Sequence, residues 1–286
     1  KTLTPGESQT LTISVSKAQI ASYDDSGISG HAHCFILEEG DYNFYVGTDV
    51  RQAEKTYTCT QNGTLVISSH KQALAPVETF ERIKPVLTAD GYEPQMEAVP
   101  LSEVDEVQRR LENLPKEIPF TGDQGIRLRD VRKGTHTMEE FIAQMTDYDL
   151  ACMIRGEGMN SPRVTAGTAS AFGGVSPELE SLGVPCGCCD DGPSGMRLDC
   201  GTKAFSLPNG TMMACTFNRT LLTELFAQTG LEMIANKVDC LLGPGMNIHR
   251  HPLNGRNFEY FSEDPYLTGT IASAQLHGLH QSGVTG

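Results

Sequence analysis

The sequence lacks several features that would each indicate a different class of protein. It has no stretch of 18 or more consecutive apolar residues, so nothing in it predicts a membrane-crossing helix. Lys and Arg are scarce, 22 against 36 Asp and Glu, and the formal net charge is −14. Because nucleic-acid phosphates would repel this charge, we expect no nucleic acid among the partners. The lack of a long apolar run gives the same expectation for a membrane.

The length and the ends of the chain suggest a piece of something larger. The 286 residues suffice for a large core and for one or two domains. The chain begins at Lys1 rather than Met, has no charged-then-apolar leader, and ends at Gly286 without a polar tail. We expect a fragment of a longer polypeptide with a cytoplasmic, bacterial-type location.

Cysteine is present in an odd number, nine, and three cysteines crowd one apolar stretch. Cys186, Cys188 and Cys189 are too closely spaced for ordinary disulfides, which favours a reducing compartment. A zinc or redox site is the alternative for this cluster. Small side chains buried in a tight strand are the preferred interpretation, because free cysteine packs as a small hydrophobe.

Two histidine pairs could also be interpreted as metal ligands. His249 and His251 lie two residues apart, and His277 and His280 lie three apart on a predicted helix. No third ligand stands at a suitable spacing from either pair. We therefore expect no metal and no cofactor.

Residues 1–70 have the pattern of short β-strands. Leu11, Ile13 and Val15 alternate with Thr and Ser, as in a half-buried strand. Residues 61–63, Gln-Asn-Gly, separate two further strand-like segments and predict a hairpin, because Asn-Gly tolerates positive φ. Short strands at this spacing predict a partial β-sandwich.

Residues 71–134 differ in composition from the segment before them. Six prolines interrupt the stretch up to residue 119, and one helix fits within it, at 102–113. Several apolar side chains, among them Phe80 and Ile83, would be costly to leave in water. We expect an ordered linker that wraps around a neighbouring part of the protein.

In residues 135–286, helix and strand signals alternate. A capping box at 137–140 begins one helix. Alternating strands and helices predict a parallel α/β arrangement, but about two strand–loop–helix units are too few to close an eight-stranded barrel. The clearest predicted elements are strands at 184–189 and 238–242 and helices at 147–155, 218–236 and 265–281, the last carrying small residues suited to close packing on a sheet.

Polar segments follow both predicted strands of this region. The first contains Asp-Gly-Pro-Ser-Gly-Met-Arg at 191–197, where a carboxylate at a strand end could accept hydrogen bonds from ligand hydroxyls and an arginine could keep it ionised. Taken alone, Asp-Gly-Pro is also a common turn. The second, at 243–264, is dense in Gly, Asn, His, Arg and Glu and leads into a helix start. Loops of this kind build active sites at the C-terminal rim of a (β/α)8 barrel.

Together these segments resemble glycoside hydrolase family 3, in its β-glucosidase branch. The Asp-Gly-Pro-x-Gly-x-Arg motif is followed about 50 residues later by Asn-Ile-His-Arg-x-Pro-x-x-Gly-Arg-Asn-Phe-Glu at 247–259 and Ser-Glu-Asp-Pro at 262–265. The resemblance covers residues 135–286 and implies the first part of a (β/α)8 TIM-like barrel. Segments at 3–8 and 80–85 are similar to the fibronectin-III-like domain of the family, and their place before the barrel resembles the permuted members.

The resemblance also implies roles for individual residues. Asp191, Arg197 and Arg256 match substrate-binding residues of the −1 sugar subsite. Glu259 and His249 lie inside the second motif, and we interpret them as scaffold of the rim, with direct contact to the sugar as the alternative. The family's nucleophilic Asp lies in a motif with Trp, which this sequence lacks entirely, and is expected beyond Gly286. In a permuted chain the acid/base Glu is expected before Lys1.

The function implied is retaining hydrolysis of terminal, non-reducing β-D-glucosyl residues. The substrate would be a β-glucoside or a small oligosaccharide, and this chain alone would be inactive because it lacks both catalytic carboxylates. Its expected partners are the missing segments of the same enzyme, possibly a separate chain. The alternatives are a β-xylosidase of the same family, or a noncatalytic carbohydrate-binding or structural fragment completed by another polypeptide.

Overall fold

The computed structural model of the protein describes residues 3–286 and contains two compact units. The first unit is Lys1–Pro115 and the second is Lys116–Gly286. Within the described residues, no helix combines the length and the apolar character that crossing a bilayer requires.

The first unit is built from antiparallel strands. β2 pairs with both β1 and β5 in a three-stranded sheet, while β3–β4 and β6–β7 form separate two-stranded pairs. Cys34, Ile36 and Leu37 of the central strand are buried. One helix, α1 (Glu106–Glu112), follows the strands. The strands are β1 (Ser22–Asp24), β2 (Cys34–Leu37), β3 (Gly40–Val46), β4 (Glu54–Gln61), β5 (Leu65–Ser69), β6 (Glu81–Thr88) and β7 (Gly91–Ala98).

Polar contacts connect Asp25, which directly follows β1, to the β6–β7 pair. The Arg82 guanidinium contacts Asp25, with Nη2 donating to Oδ1 at 3.1 Å, and its Nε donates to Glu97 at 2.8 Å. Lys84 lies 3.0 Å from the other Glu97 oxygen. Next to this network, the Ser29 hydroxyl and nearby backbone N–H groups lower the pKa of the Asp24 carboxyl to about 2. The network therefore joins parts of the unit that no strand pairing connects.

Three expectations for this unit differ from the structure. Residues 11–15 form no strand and are exposed, because no neighbouring strand pairs with their alternating pattern. Gly63 has the expected positive φ of 76°, but β4 and β5 belong to different sheets, so the Asn-Gly turn makes no hairpin. The segment 71–134 contains the β6–β7 pair and two short helices rather than one helix in a linker.

The second unit combines helices with a four-stranded mixed sheet in the order β11-β10-β9-β8. β10 and β11 are parallel, whereas β9 and β8 are antiparallel to their neighbours, which differs from the expected wholly parallel arrangement. The strands are β8 (Glu157–Gly158), β9 (Ser170–Gly173), β10 (Cys186–Asp191) and β11 (Cys240–Leu242). The helices are α2 (Leu128–Arg132), α3 (Met138–Ala143), α4 (Asp147–Arg155), α5 (Pro177–Ser181), α6 (Gly210–Ala214), α7 (Arg219–Ala235) and α8 (Pro265–Gln281).

Capping residues determine where the two long helices begin. The Asn218 side chain accepts a hydrogen bond from the Leu221 N–H at the start of α7. The Asp264 side chain accepts from the Tyr266 N–H at the start of α8, where Pro265 occupies the first turn. Both caps satisfy backbone donors that have no partner within the helix, and the predicted bounds of both helices are confirmed within one residue.

The main core of this unit lies where α7 packs against α8. Phe226, Leu222 and Met233 of α7 are buried with Ile271 and Leu279 of α8. The helices approach closely at one glycine of α8: a Cβ added at Gly278 would lie 2.4 Å from the Thr223 carbonyl oxygen of α7. The small residues of α8 thus permit contact with a helix, whereas the sequence predicted contact with a sheet.

Candidate functional site

Parallel pairing of β10 and β11 brings both motif loops to one edge of the sheet. Asp191, the last residue of β10, is in register with Leu242, the last residue of β11. The loops that follow, at 192–209 and 243–264, therefore start side by side. They touch near their beginnings, since a Cβ added at Gly243 would lie 3.4 Å from the Pro193 Cα. The fold thus places the two motifs together, as the barrel-rim interpretation requires.

The first loop turns sharply directly after Asp191. Gly192 has a φ of 137°, and a Cβ there would lie 1.7 Å from the Gly195 carbonyl oxygen, so no other residue fits without rearrangement. The turn closes when the Arg197 N–H donates to the Asp191 carbonyl oxygen at 2.9 Å. Asp191 itself is half-buried. The glycines therefore bring Arg197 back beside Asp191.

The side-chain partner of Arg197 differs from the expected one. Its Nε donates to an Asp199 carboxylate oxygen at 3.2 Å, and both side chains are largely exposed. The structure joins Arg197 to Asp191 through the backbone rather than through a side-chain ion pair. The carboxylate of Asp191 is consequently not held by Arg197.

The second loop is held mainly by hydrogen bonds within itself. His249 Nε2 lies 2.8 Å from the Asn257 carbonyl oxygen, and its ring packs near Tyr260 with 6.2 Å between ring centroids. His251 Nδ1 accepts from the Leu253 N–H at 3.1 Å, while its carbonyl oxygen accepts from the Asn257 side chain. These imidazoles thus organise the loop.

Arg256 is an exposed cation of this loop, and a buried acid holds it. The side chain of Arg256 is 68% exposed, whereas that of its partner Glu259 is 6% exposed. Arg256 Nε donates to Glu259 Oε1, and this bond raises the pKa of the guanidinium. The negative charge of Glu259 adds to the shift, and that of Asp191 contributes least. Arg256 is therefore anchored at its base by Glu259 and carries its cation towards solvent.

Neither the cysteines nor the histidines form a recognisable metal centre. Across residues 3–286, no three His, Cys, Asp or Glu side chains converge in a way that could hold a metal ion. Cys188 is buried and Cys186 and Cys189 are half-buried, and all are free thiols. Burial raises the pKa of Cys186. The cysteine cluster therefore consists of small packed side chains within β10.

A cavity lies elsewhere in the second unit. It measures about 780 Å³ and is lined by the segment around Ile118 and by residues of α3 and the turn before it. Glu140, one of its acids, accepts hydrogen bonds from the Thr137 backbone N–H and hydroxyl in the helix cap. This cavity contains none of the motif residues, so it is not the candidate site.

One buried acid beside the site was not predicted from the sequence. Asp190 immediately precedes Asp191 and is fully buried, with no hydrogen-bond partner for either carboxylate oxygen among the described residues. The sequence does contain a signal for it. Neighbouring side chains of a strand point to opposite faces, so if Asp191 faces the site, Asp190 must face the other side of β10.

Comparison with known proteins identifies the family of this chain. Residues 121–286 match the "Glycosyl hydrolase family 3 N terminal domain". The chain belongs to glycosyl hydrolase family 3. It is similar over its whole length to a beta-glucosidase of Ruminococcus albus, with 63% identity over 286 residues, which cover 30% of that protein.

Two further relatives support membership of the same family. A beta-glucosidase A of Butyrivibrio fibrisolvens is 33% identical over 99% of this chain and 35% of its own length. The crystal structure of a beta-glucosidase from Paenibacillus barengoltzii superposes with a TM-score of 0.89 at 48% identity, over 93% of this chain and 30% of that one. The chain thus spans about a third of the length of these relatives.

Proposed function

We propose that this chain is part of a retaining β-glucosidase and supplies part of its −1 sugar subsite. The observation that carries the proposal is the meeting of the two motif loops, which start at Asp191 and at Leu242, paired residues at the ends of β10 and β11. The names of the relatives that span the whole chain support β-glucosidase activity for the complete protein.

The chemistry of the three candidate residues suits a sugar ligand. A carboxylate such as Asp191 accepts hydrogen bonds from hydroxyl groups, and the guanidinium groups of Arg197 and Arg256 donate several. Hydrogen bonds to a charged partner are about twice as strong as neutral ones. Contacts that strengthen in the transition state raise the rate, so these residues assist hydrolysis without forming a covalent bond to the sugar.

The bond-breaking carboxylates are proposed to lie outside this chain. Retaining hydrolysis needs one carboxylate that attacks the anomeric carbon and a second that first protonates the leaving oxygen and then activates water. We assign the nucleophilic Asp to a segment after Gly286 and the acid/base Glu to a segment before Lys1. The limited span of this chain, about 30% of the Ruminococcus albus protein, supports this assignment.

The same proposal covers the domain order. Residues 1–70 together with the β6–β7 pair would belong to a fibronectin-III-like domain, the residues from there to 134 to a connecting segment, and residues 135–286 to the first part of the (β/α)8 barrel. Two observations support a domain before the barrel. The family domain matches only from residue 121, and the first unit consists of antiparallel strands.

The activity is tested on the complete protein that contains this chain. Purified full-length enzyme should hydrolyse an aryl β-glucoside with release of β-glucose, which NMR distinguishes from the α-anomer. An aryl β-xyloside measured in parallel separates the β-xylosidase alternative by comparing kcat/KM values. Release of α-glucose would contradict the retaining mechanism, and sugar binding without turnover would favour a noncatalytic carbohydrate-binding protein.

Glu259 is predicted to position Arg256 for the sugar. Glu259→Gln keeps the shape but replaces a charged acceptor by a neutral one, and the difference between such hydrogen bonds is about 1 kcal/mol. We therefore expect roughly fivefold weaker glucose binding to the full-length enzyme, measured by calorimetry. Glu263→Gln is the control, since this acid is exposed and should leave binding unchanged. Equal binding by both variants would remove Arg256 or its anchor from the subsite.

A further inference from the structure

Asp190 is a buried acid that the proposed function does not use. Its side chain is 0% exposed, and in the part of the chain that the structure describes neither carboxylate oxygen has a hydrogen-bond partner. Burial of a polar group without a partner costs free energy, and burial of a charge costs far more. An acid retained in such a place must therefore be neutral or be compensated by its surroundings.

The position of Asp190 connects it to the proposed subsite. Alternation along β10 directs Asp190 to the face opposite Asp191, which is half-buried. The backbone N–H groups of Asp191 and Arg197 lie near the Asp190 carboxyl and lower its pKa, but neither makes a well-formed hydrogen bond to it, and the Arg197 N–H donates to the Asp191 carbonyl oxygen instead. The carboxyl thus lies against the backbone of two of the three proposed sugar-binding residues.

The surroundings of Asp190 do not compensate a negative charge. Asp191 is its neighbour on the same strand and its charge acts on Asp190 from the opposite face, while Asp199 and the Cys200 thiol lie near it in the following loop. The Arg197 guanidinium is turned to Asp199 instead. Burial raises the pKa of Asp190 to about 6; the two backbone N–H groups lower it in part, and the charges of Asp191 and Asp199 add to the rise.

We propose that Asp190 is a positioning residue that, as the neutral acid, keeps the turn between Asp191 and Arg197 in its sugar-binding arrangement. When Asp190 loses its proton to water, an unpaired charge appears beneath this turn and next to two other carboxylates. The turn then loosens and sugar binding weakens. The sugar-binding part of this proposal rests on the proposed function, whereas the effect of the charge on folding does not.

The direction of the pH effect follows from the raised pKa. The folded chain holds the Asp190 proton more tightly than the unfolded chain does. The stability that the neutral acid contributes is therefore complete below the unfolded pKa of about 4. It is lost as the pH rises through about 6.

The first test measures the melting temperature of the 286-residue chain from pH 4.5 to pH 7.5. The same series is measured for Asp190→Asn, whose side chain cannot ionise. We expect the wild-type Tm to fall by roughly 5 °C more than that of the variant over this range. Glu224→Gln, which removes an exposed acid of α7, should follow the wild type. If Asp190→Asn does not fold, Asp190→Leu makes the same comparison. If the Tm of the wild type and that of Asp190→Asn changed equally with pH, the proposal would be overturned.

The second test measures glucose binding by the full-length enzyme at pH 5 and pH 7. We expect wild-type affinity to fall several-fold at the higher pH and the affinity of Asp190→Asn to change little. A pH-dependent Tm without any glucose binding would refute the proposed function and leave the charge effect standing. The same pH profile in both proteins would refute the positioning role, even if glucose binds.

Discussion

Replacing Asp191 by Ala is expected to lower kcat/KM of the full-length enzyme on an aryl β-glucoside by about 30- to 1,000-fold. The expectation follows from the loss of hydrogen bonds between a carboxylate and sugar hydroxyls, about 2–4 kcal/mol of transition-state binding. Asp191 lies at the end of β10, half-buried and beside the second motif loop. Steady-state kinetics with one substrate give this difference directly.

Stability measurements separate this effect from damage to the fold. Asp191 connects to the turn through its carbonyl oxygen, which the Ala variant retains, so Tm should change little. Asp123→Ala is a matched control, because this acid lies on an exposed loop of the same unit and should keep wild-type kinetics. A wild-type kcat/KM for Asp191→Ala would remove the residue from the subsite.

Phe226→Ala is expected to destabilise the second unit by about 3–5 kcal/mol. Phe226 is 1% exposed, and a Cβ added at Gly278 of α8 would lie 2.9 Å from the Phe226 Cβ. The two helices cannot move much closer, so the deletion leaves a cavity where α7 meets α8. Urea unfolding of the 286-residue chain, followed by circular dichroism, measures the loss.

The control for this prediction lies on the same helix. Leu231 is 54% exposed, and Leu231→Ala removes an aliphatic side chain with little burial. We expect its cost to stay below about 1 kcal/mol. Similar losses for both variants would mean that the α7–α8 contact is not the core of this unit.

Local signals in the sequence predicted the long helices well. An Asn cap before α7 and an Asp-Pro pair before α8 satisfy backbone donors at each start, and this chemistry depends only on neighbouring residues. The motif loops were also found from the sequence, because glycine, proline and charged residues recur at fixed spacings after each strand. The family placement depended on those spacings.

Pairings over long distances could not be predicted in the same way. Gly63 has the expected turn conformation, yet β5 pairs with β2 and β4 pairs with β3. A turn residue sets local geometry, whereas the strand partner depends on which surfaces bury each other. Arg197 is a similar case, because a long side chain can reach Asp199 as easily as Asp191.

We propose that this chain provides sugar contacts but neither catalytic carboxylate. The most direct measurement is hydrolysis of an aryl β-glucoside by the purified 286-residue chain, alone and then mixed with the remaining segments of the enzyme. We predict no turnover by the chain alone and recovery of turnover in the mixture. Saturable hydrolysis by the isolated chain, abolished by Asp191→Ala, would contradict the account.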